Sequence, residues 1–280
     1  MSRIALVTGT SSGIGLSTSV LLAKSGFNVV ATMRDMGKAA SVEAKAKEAG
    51  VKLDMRRLDV QDDNSVNACV NEVLTTYGRI DVLVNNAGAG YLGTLEMTPF
   101  DALRQTMDLN FFGVWRGTQA VFPSMRAAGS GRIITVSSVA GLVGLPFSDA
   151  YSAAKFAVEG LMESLAPVAK RFGISVSVVE PAFVNTGFSG AVQKLFISSA
   201  QPAREVYTPM LGPFIARARQ MWDKTGQTAN DVAKIIVDAA TVEVPHFRYV
   251  TSEYGRTTVS QKYVDPTGDS VVAASSARLS

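Results

Sequence analysis

Cysteine is nearly absent from this chain. Cys69 stands alone and cannot close an internal disulfide, so a reducing, cytoplasmic setting is the simplest expectation. Histidine is equally scarce. The single His246 lies far along the chain and reads as structural, with substrate contact as the other reading, and no metal site is expected. Charge of one sign is also missing: 27 Lys and Arg stand against 24 Asp and Glu, without a long basic run, so nucleic acid is not indicated. No apolar stretch approaches the ~20 residues of a membrane span, which argues against a transmembrane segment. The first apolar run begins at Ile4 and leaves no room for a signal peptide. No internal repeat is visible.

What is present suits one large α/β domain. A chain of 280 residues with 47% apolar content can bury a sizeable core. Ile4 to Val7 is a short apolar run of the buried parallel-strand kind. Strands are also expected at Asn28 to Thr32, Val51 to Leu58, Ile80 to Val84, Ile133 to Ser138 and Ile174 to Val179. Helices are expected at Leu16 to Ser25, Gly37 to Ala49 and Asp62 to Thr76. Thr98-Pro99 reads as a hydroxyl N-cap before an N1 proline, opening a helix that runs past Asn110 towards Met125. After Tyr151 a stripe of Val158, Leu161, Leu165, Val168 and Phe172 predicts another helix, with a kink or a lost hydrogen bond at Pro167. Strand and helix in alternation imply a doubly wound parallel sheet.

Four local patterns carry chemistry. Thr8-Gly9-Thr10-Ser11-Ser12-Gly13-Ile14-Gly15 follows the first strand and opens a helix, an order suited to cradling a pyrophosphate on backbone N–H groups. Asn85-Asn86-Ala87-Gly88 ends another strand, where side-chain amides can tie loops together or face a ligand. Ser138 ends the strand through Val136, on the side where open α/β sheets bind ligands. Tyr151 and Lys155 lie one helical turn apart, and an ammonium beside a phenol favours the phenolate, whose ordinary pKa is about 10.

Together these residues resemble the short-chain dehydrogenase/reductase family. The resemblance rests on Thr8-Gly9-x-x-x-Gly13-Ile14-Gly15, Asn85-Asn86-Ala87-Gly88, Asn110, Ser138, Tyr151-x-x-x-Lys155 and Pro181-x-x-Val184-x-Thr186. It covers residue 4 to about 188 and more weakly continues to Val250, through Asp231-Val232-Ala233 and Phe247-Arg248-Tyr249-Val250. It implies a single-domain Rossmann-type α/β fold of about seven parallel strands flanked by helices. The dinucleotide-binding and catalytic domain would span 1–250, with a mobile substrate lid inserted at about 189–226. Residues 251–280 form a polar C-terminal extension, a loose tail or the dressing of a subunit contact.

The same resemblance implies an oxidoreductase that interconverts an alcohol and a carbonyl, with Asn110, Ser138, Tyr151 and Lys155 as catalytic residues. Asn110 would bend its helix and hold a relay water, and Lys155 would bind the nicotinamide ribose. Gly9, Gly13, Ile14 and Gly15 would hold the cofactor with Asp59, Val60, Asn86, Ala87, Gly88, Pro181, Val184 and Thr186, joined by Tyr151 and Lys155. Asp59 has the helix N-cap as a second reading. Met33 stands where NAD-using members carry an acidic residue. Arg34 after it suits a 2′-phosphate, with Thr10, Ser11 and Ser12 adding hydroxyls, so NADP(H) is expected over NAD(H). Asp35 would reverse that preference if it pointed inward. Ala182 departs from the family's usual glycine and would narrow the nicotinamide pocket or reshape the loop.

Val143, Leu145 and Phe147, with Phe183, Phe188, Leu195 and Phe196, would wall an apolar substrate site. Segments such as Gly144-Leu145-Pro146-Phe147-x-Asp149-x-Tyr151 and Lys155-Phe156-Ala157-x-Glu159-Gly160-Leu161 resemble the hydroxysteroid and retinol dehydrogenase members. A steroid- or retinoid-like substrate is therefore expected, with apolar loop residues packing on a neighbouring subunit as the other reading. A 3-ketoacyl-thioester or small-ketone reductase is the alternative function, and a non-catalytic dinucleotide sensor a third. A homodimer or homotetramer is the expected assembly.

Overall fold

The computed structural model describes residues 2–186, 203–260 and 265–269. Seven parallel strands form one sheet, and their order departs from chain order at its centre. The first three, β1 (Ile4–Thr8), β2 (Asn28–Met33) and β3 (Asp54–Arg57), run outward from the middle. The chain then returns to the other side of β1 with β4 (Val82–Asn85), β5 (Gly131–Val136) and β6 (Ile174–Glu180). Between β1 and β4 the crossovers diverge, so their loops leave a crevice beyond the strand ends. Two short strands, β7 (Val184–Asn185) and β8 (Gln227–Thr228), pair separately, and β9 (Arg248–Val250) closes the edge beside β6.

The strand residues explain the two-sided burial. Leu6, Leu83 and Ile133 face one core layer, while Ala5, Val7, Val84 and Ile134 face the other, the period-2 alternation of a pleated strand. The first layer is covered by α3 (Asp63–Tyr77), α5 (Gly113–Ala128) and α6 (Asp149–Lys170), through Val70, Met125 and Met162. The second is covered by α1 (Gly13–Lys24) and, later in the chain, by the helix Ala229–Thr241, through Leu22, Val232 and Ile236. Helix α2 (Ala39–Glu48) packs Val42 on Met33 and Leu16 at the β2 side.

Helix ends follow their capping residues. Asp62 accepts from the Asn64 and Ser65 N–H groups and starts α3, and Gly78 ends it at φ 73°. Asp59 is therefore not the N-cap; its carboxylate accepts from the Gln61 N–H at 3.1 Å. Thr98 is not a cap either. Its hydroxyl donates to the Thr94 carbonyl at 2.6 Å, and α4 (Phe100–Met107) begins one residue later, after Pro99. Helix α4 passes into α5 through a π-helical turn at Asp108–Phe112, so the expected continuous helix carries one widened turn around Asn110.

Helix α6 continues through Pro167 to Lys170. The apolar stripe expected on it holds in its first part, with Val158 buried and Leu161 and Leu165 packed against the core. Val158, Met162, Ala166 and Ala169 face the core at the 3.6-residue period, whereas Val168 and Phe172 are 43% and 38% exposed. The remaining helices are α7 (Arg204–Thr225), α8 (Ala229–Thr241), which Thr228 and Asp231 start with a reciprocal capping box, and α9 (Glu253–Ser260). Among the described residues, no helix is long and apolar enough to cross a membrane.

Leu83 on the central β4 is fully buried. Leu83→Ala is expected to lower the unfolding free energy by about 2–5 kcal/mol, read as a reduced urea midpoint at unchanged m-value.

Candidate active site

At the crevice between β1 and β4, the Thr8 to Gly15 turn is clamped to the loop after β4. The Asn86 amide donates to the carbonyls of Thr8 and Gly9, at 2.9 and 3.0 Å. In return the Thr8 hydroxyl accepts from the N–H groups of Asn86 and Ala87, at 2.9 and 3.0 Å. Asn85 faces inward and donates to Thr118 and Thr135. Of the two readings of these amides, loop-tying is the one their side chains display.

The clamp leaves no space for side chains on the turn. A Cβ on Gly15 would lie 2.4 Å from both Asn86 Nδ2 and Gly9 O. Gly9 adopts φ 71° and lies against Ala87, where a Cβ would come within 2.7 Å of its Cα. Helix α1 starts here with Ser12 at its N-cap, without a side-chain cap bond and without an acidic residue in the first turn. Uncapped N–H groups at a bare helix start, beside a glycine turn, fit a dinucleotide's pyrophosphate. Thr186 lies across from this start: a Cβ on Gly13 would be 3.4 Å from its methyl group.

At the end of β2, Met33 is buried and Arg34 exposed, its guanidinium 3.5 Å from Gln61 Oε1. The Asp35 carboxylate turns to the Gly37 N–H at 2.9 Å and starts a 3-10 turn, Met36–Lys38. Ser11 and Ser12 lie at the surface end of the glycine turn, but Thr10 does not join them. It is fully buried, and its hydroxyl and N–H both donate to the Thr32 carbonyl, which corrects the expectation of a third phosphate donor. Val60 packs in the core under Gly113, and its carbonyl accepts from Arg116 at 3.2 Å.

Beyond β5 the chain turns through Val139–Gly141, with the Ser138 hydroxyl accepting from the Ala140 N–H at 3.1 Å and lying 3.4 Å from the Pro181 carbonyl. Tyr151 occupies the first turn of α6 and Lys155 the second. The Ser138 hydroxyl bonds the Tyr151 phenol. Lys155 is buried and donates to the Val136 carbonyl at 3.0 Å, with its Nζ 5.7 Å from the Tyr151 ring centroid. Gly88 brings the third element in: a Cβ there would lie 2.8 Å from Asn110 Oδ1 and 3.8 Å from Lys155 Nζ. The Asn110 amide accepts from the Ala89 N–H and donates to the carbonyls of Ala89 and Thr106, bridging the π-helical turn to the loop after β4.

The electrostatics correct one expectation. Desolvation pushes the Tyr151 phenol up to about 12, and the Ser138 hydroxyl is what pulls the other way. Lys155 supplies no resolved acidification of Tyr151; burial lowers its own ammonium to about 8, opposed by Glu159. Spacing alone could not register that both members of the pair are drawn out of water.

The residues expected to wall a substrate site divide among three clusters. Phe147, at φ 59°, packs with Met97 and Leu211, its ring against Tyr207 and Phe214 of α7. Val143 and Ala182 join Val139, Leu142 and Val259 under α9, so the extra methyl of Ala182 has apolar neighbours there. Phe183 lies between Trp222 and Tyr254, with ring centroids 5.1 and 5.4 Å apart. Leu145 is half-buried and its N–H reaches the Ser152 hydroxyl. Phe188, Leu195 and Phe196 lie outside the described residues. Met97, in the turn before α4, and Tyr207, Leu211, Phe214 and Trp222 on α7 were not legible as site neighbours, because they meet Phe147 or Phe183 only in the tertiary structure.

The His246 ring lies 2.8 Å from the Asp269 carboxylate, on the exposed side of β9. Among the described residues no group of three or more His, Cys, Asp or Glu is placed to hold a metal ion.

The family model described as short chain dehydrogenase matches residues 3–194. Retinol dehydrogenase 8 of Bos taurus is 40% identical, over 98% of this chain and 89% of its own length. The 17-beta-hydroxysteroid dehydrogenase type 1 of Homo sapiens is 37% identical, over 97% of this chain and 84% of its own. A crystal structure of a short-chain dehydrogenase from Streptomyces avermitilis superposes with a TM-score of 0.79 at 31% identity, covering 98% of this chain and 94% of that one.

Lys155 holds fewer protons folded than unfolded between its lowered value of about 8 and the ordinary 10.5. Stability from this group therefore rises with pH across that window. The melting temperature of Lys155→Met relative to the parent is expected to fall between pH 8 and 10.5, measured by calorimetry in matched buffers.

Proposed function

Because the chain belongs to the short chain dehydrogenase family, and is an oxidoreductase acting on CH–OH groups, we propose that it interconverts a bulky apolar alcohol and its ketone or aldehyde with NADP(H). The observation that carries this reading is the convergence of Ser138, Tyr151 and Lys155 beside the glycine cradle. They come from the end of β5 and the first two turns of α6, with Asn110 approaching over Gly88. The nicotinamide, when bound, gives or accepts the hydride at the substrate carbon. The chain handles the proton. Tyr151 delivers it to the carbonyl oxygen in reduction and recovers it in oxidation. Ser138 bonds the same oxygen and steadies its developing charge. Lys155 holds the cofactor's ribose and brings a positive charge near the phenol, and Asn110 keeps the loop after β4 on the relay side.

Gly9, Gly13, Ile14 and Gly15 would hold the pyrophosphate against α1, while Asp59, Asn86, Ala87 and Gly88 would line the adenine side of the crevice, with Val60 supporting them from the core. Pro181, Val184 and Thr186 flank the nicotinamide end. The choice of NADP(H) rests on Arg34, exposed at the end of β2 where a 2′-phosphate would lie. Asp35 is turned away to its own backbone at Gly37, which removes the inward carboxylate that would favour NAD(H). A guanidinium bonds a phosphate through paired, charge-assisted contacts.

A steroid- or retinoid-like substrate is supported by the aromatic trio Phe183, Trp222 and Tyr254 and by the Phe147 cluster, both contributed in part by α7. It is supported too by the relatives named for retinol and for a hydroxysteroid. In this reading α7 belongs to the lid over the site. A cytoplasmic homodimer or homotetramer completes the proposal. The unpaired, buried Cys69 supports a reducing compartment, and the exposed Phe112 and Trp115 on adjoining turns support a subunit contact.

A panel of steroid, retinoid, acyl-thioester and small ketones with NADPH tests the assignment. Turnover is expected with the bulky apolar members, and turnover confined to acyl thioesters or small ketones would replace that substrate class. Tyr151→Phe is expected to lose ~10²-fold or more in kcat while still binding NADPH. Arg34→Ala is expected to weaken NADPH binding ~10-fold or more and leave NADH nearly unaffected, by fluorescence titration. Equal losses for the two cofactors would end the Arg34 assignment.

A further inference from the structure

Four charged side chains are buried together behind the reaction centre. Lys155 and Glu159 are each 5% exposed, Arg248 6% and Glu180 not at all, two positive charges against two negative. Tyr151, Lys155 and Glu159 follow one another at four-residue steps on α6, so they share one face of that helix. Arg248, on β9, donates to Glu159 Oε2 at 2.8 Å and, through the same nitrogen, to Glu180 on β6. Its second terminal nitrogen is 3.5 Å from Glu163, which is 38% exposed and able to draw on water.

One guanidinium does not neutralise two buried carboxylates, and an unpaired buried ion is costly. The buried Ser137 hydroxyl lies beside Glu159 on the Gly141 side and favours its ionised form, and neither that hydroxyl nor Glu159 Oε1 has a partner elsewhere. Both groups converge on Gly141. A Cβ there would lie 2.8 Å from Ser137 Oγ, 3.0 Å from Glu159 Cγ and 3.0 Å from the Lys155 carbonyl, so only glycine lets α6 settle so close. The carboxylate is thus gripped by Arg248 on one side and faces Ser137 on the other. Lys155, one turn away on the same face, is the second buried cation of the group.

We propose that Glu159 is a positioning residue for the reaction, whose carboxylate, anchored by Arg248, keeps the buried Lys155 side chain an ammonium beneath Tyr151. The proposal rests on the reading of Tyr151 and Lys155 as the working pair. Burial alone drives Lys155 towards the neutral amine, and Glu159 is the charge that opposes it. Glu159 is in turn pushed up by burial and held down by Arg248, Ser137 and Lys155. The groups facing this pair are Tyr151 and Glu163 on α6, Glu180 on β6, Arg248 on β9, Ser137 and Ser138 after β5, and Asn110 on the π-helical turn.

The test reads Lys155 directly. The full chain, labelled with ¹³C at the lysine ε-carbons, is titrated by NMR, and the Lys155 signal is assigned by its loss in Lys155→Met. Glu159→Gln is expected to lower the Lys155 midpoint by about one pH unit. Ser137→Ala, which removes a hydroxyl that favours the ionised Glu159, should lower it by less, and Glu159→Asp should keep most of the parent value. The alkaline limb of kcat should move to lower pH in the same order, with the KM for NADPH little changed. A Lys155 midpoint unmoved in folded Glu159→Gln overturns the proposal. If that variant does not fold, an unmoved midpoint in Ser137→Ala overturns it instead. Since the midpoint is read without turnover, failure of the parent on the ketone panel would count against the functional reading alone.

Discussion

The clamp between the first glycine turn and the loop after β4 is the contact on which the rest of the site depends. Thr8 and Gly9 exchange four hydrogen bonds with Asn86 and Ala87 across the switch between β1 and β4, two from backbone N–H groups to a hydroxyl and two from an amide to carbonyls. A side chain on Gly15 would occupy the space that those bonds need. The start of α1 is thereby left uncapped, and the loop carrying Gly88 and Ala89 is held where Asn110 bonds it. The proposed cofactor cradle and the proposed catalytic pocket are thus tied to one another through the loop after β4.

The catalytic side is organised by burial of polar groups as much as by their identity. Lys155 is drawn into the protein and hydrogen-bonded to Val136, while the phenol of Tyr151 is pushed towards its neutral form. Reactivity then has to come from charges placed around the pair. Ser138 supplies one contact, and the Glu159, Glu180 and Arg248 group lies directly behind Lys155. The edge strand β9, remote in sequence, therefore reaches the reaction centre through a single guanidinium.

Much of the fold was legible because β1, β4 and β5 are short apolar runs with a turn signal behind them. The 3.6-residue spacing of Val66, Val70 and Val73 likewise marks α3. Expectations failed where a local signal competed with another local partner. Thr98 bonds Thr94 instead of capping α4, Thr10 turns inward to Thr32, and the face of α6 turned to the core carries Met162 and Ala166 instead of Val168 and Phe172. The apolar residues around Tyr151 were visible as a group, but their division among three clusters was not, since α7 and α9 supply the other half of each contact.

By itself, the sequence determined the alternating α/β architecture, the glycine cradle, and the Ser138, Tyr151 and Lys155 combination, because each is written in residues that lie close together along the chain. Only the tertiary structure decided how charged those residues are and what stands behind them. Glu159 meets Glu180 and Arg248 across 21 and 89 positions of chain, and burial, which no local pattern encodes, sets the proton affinity of every member of that group.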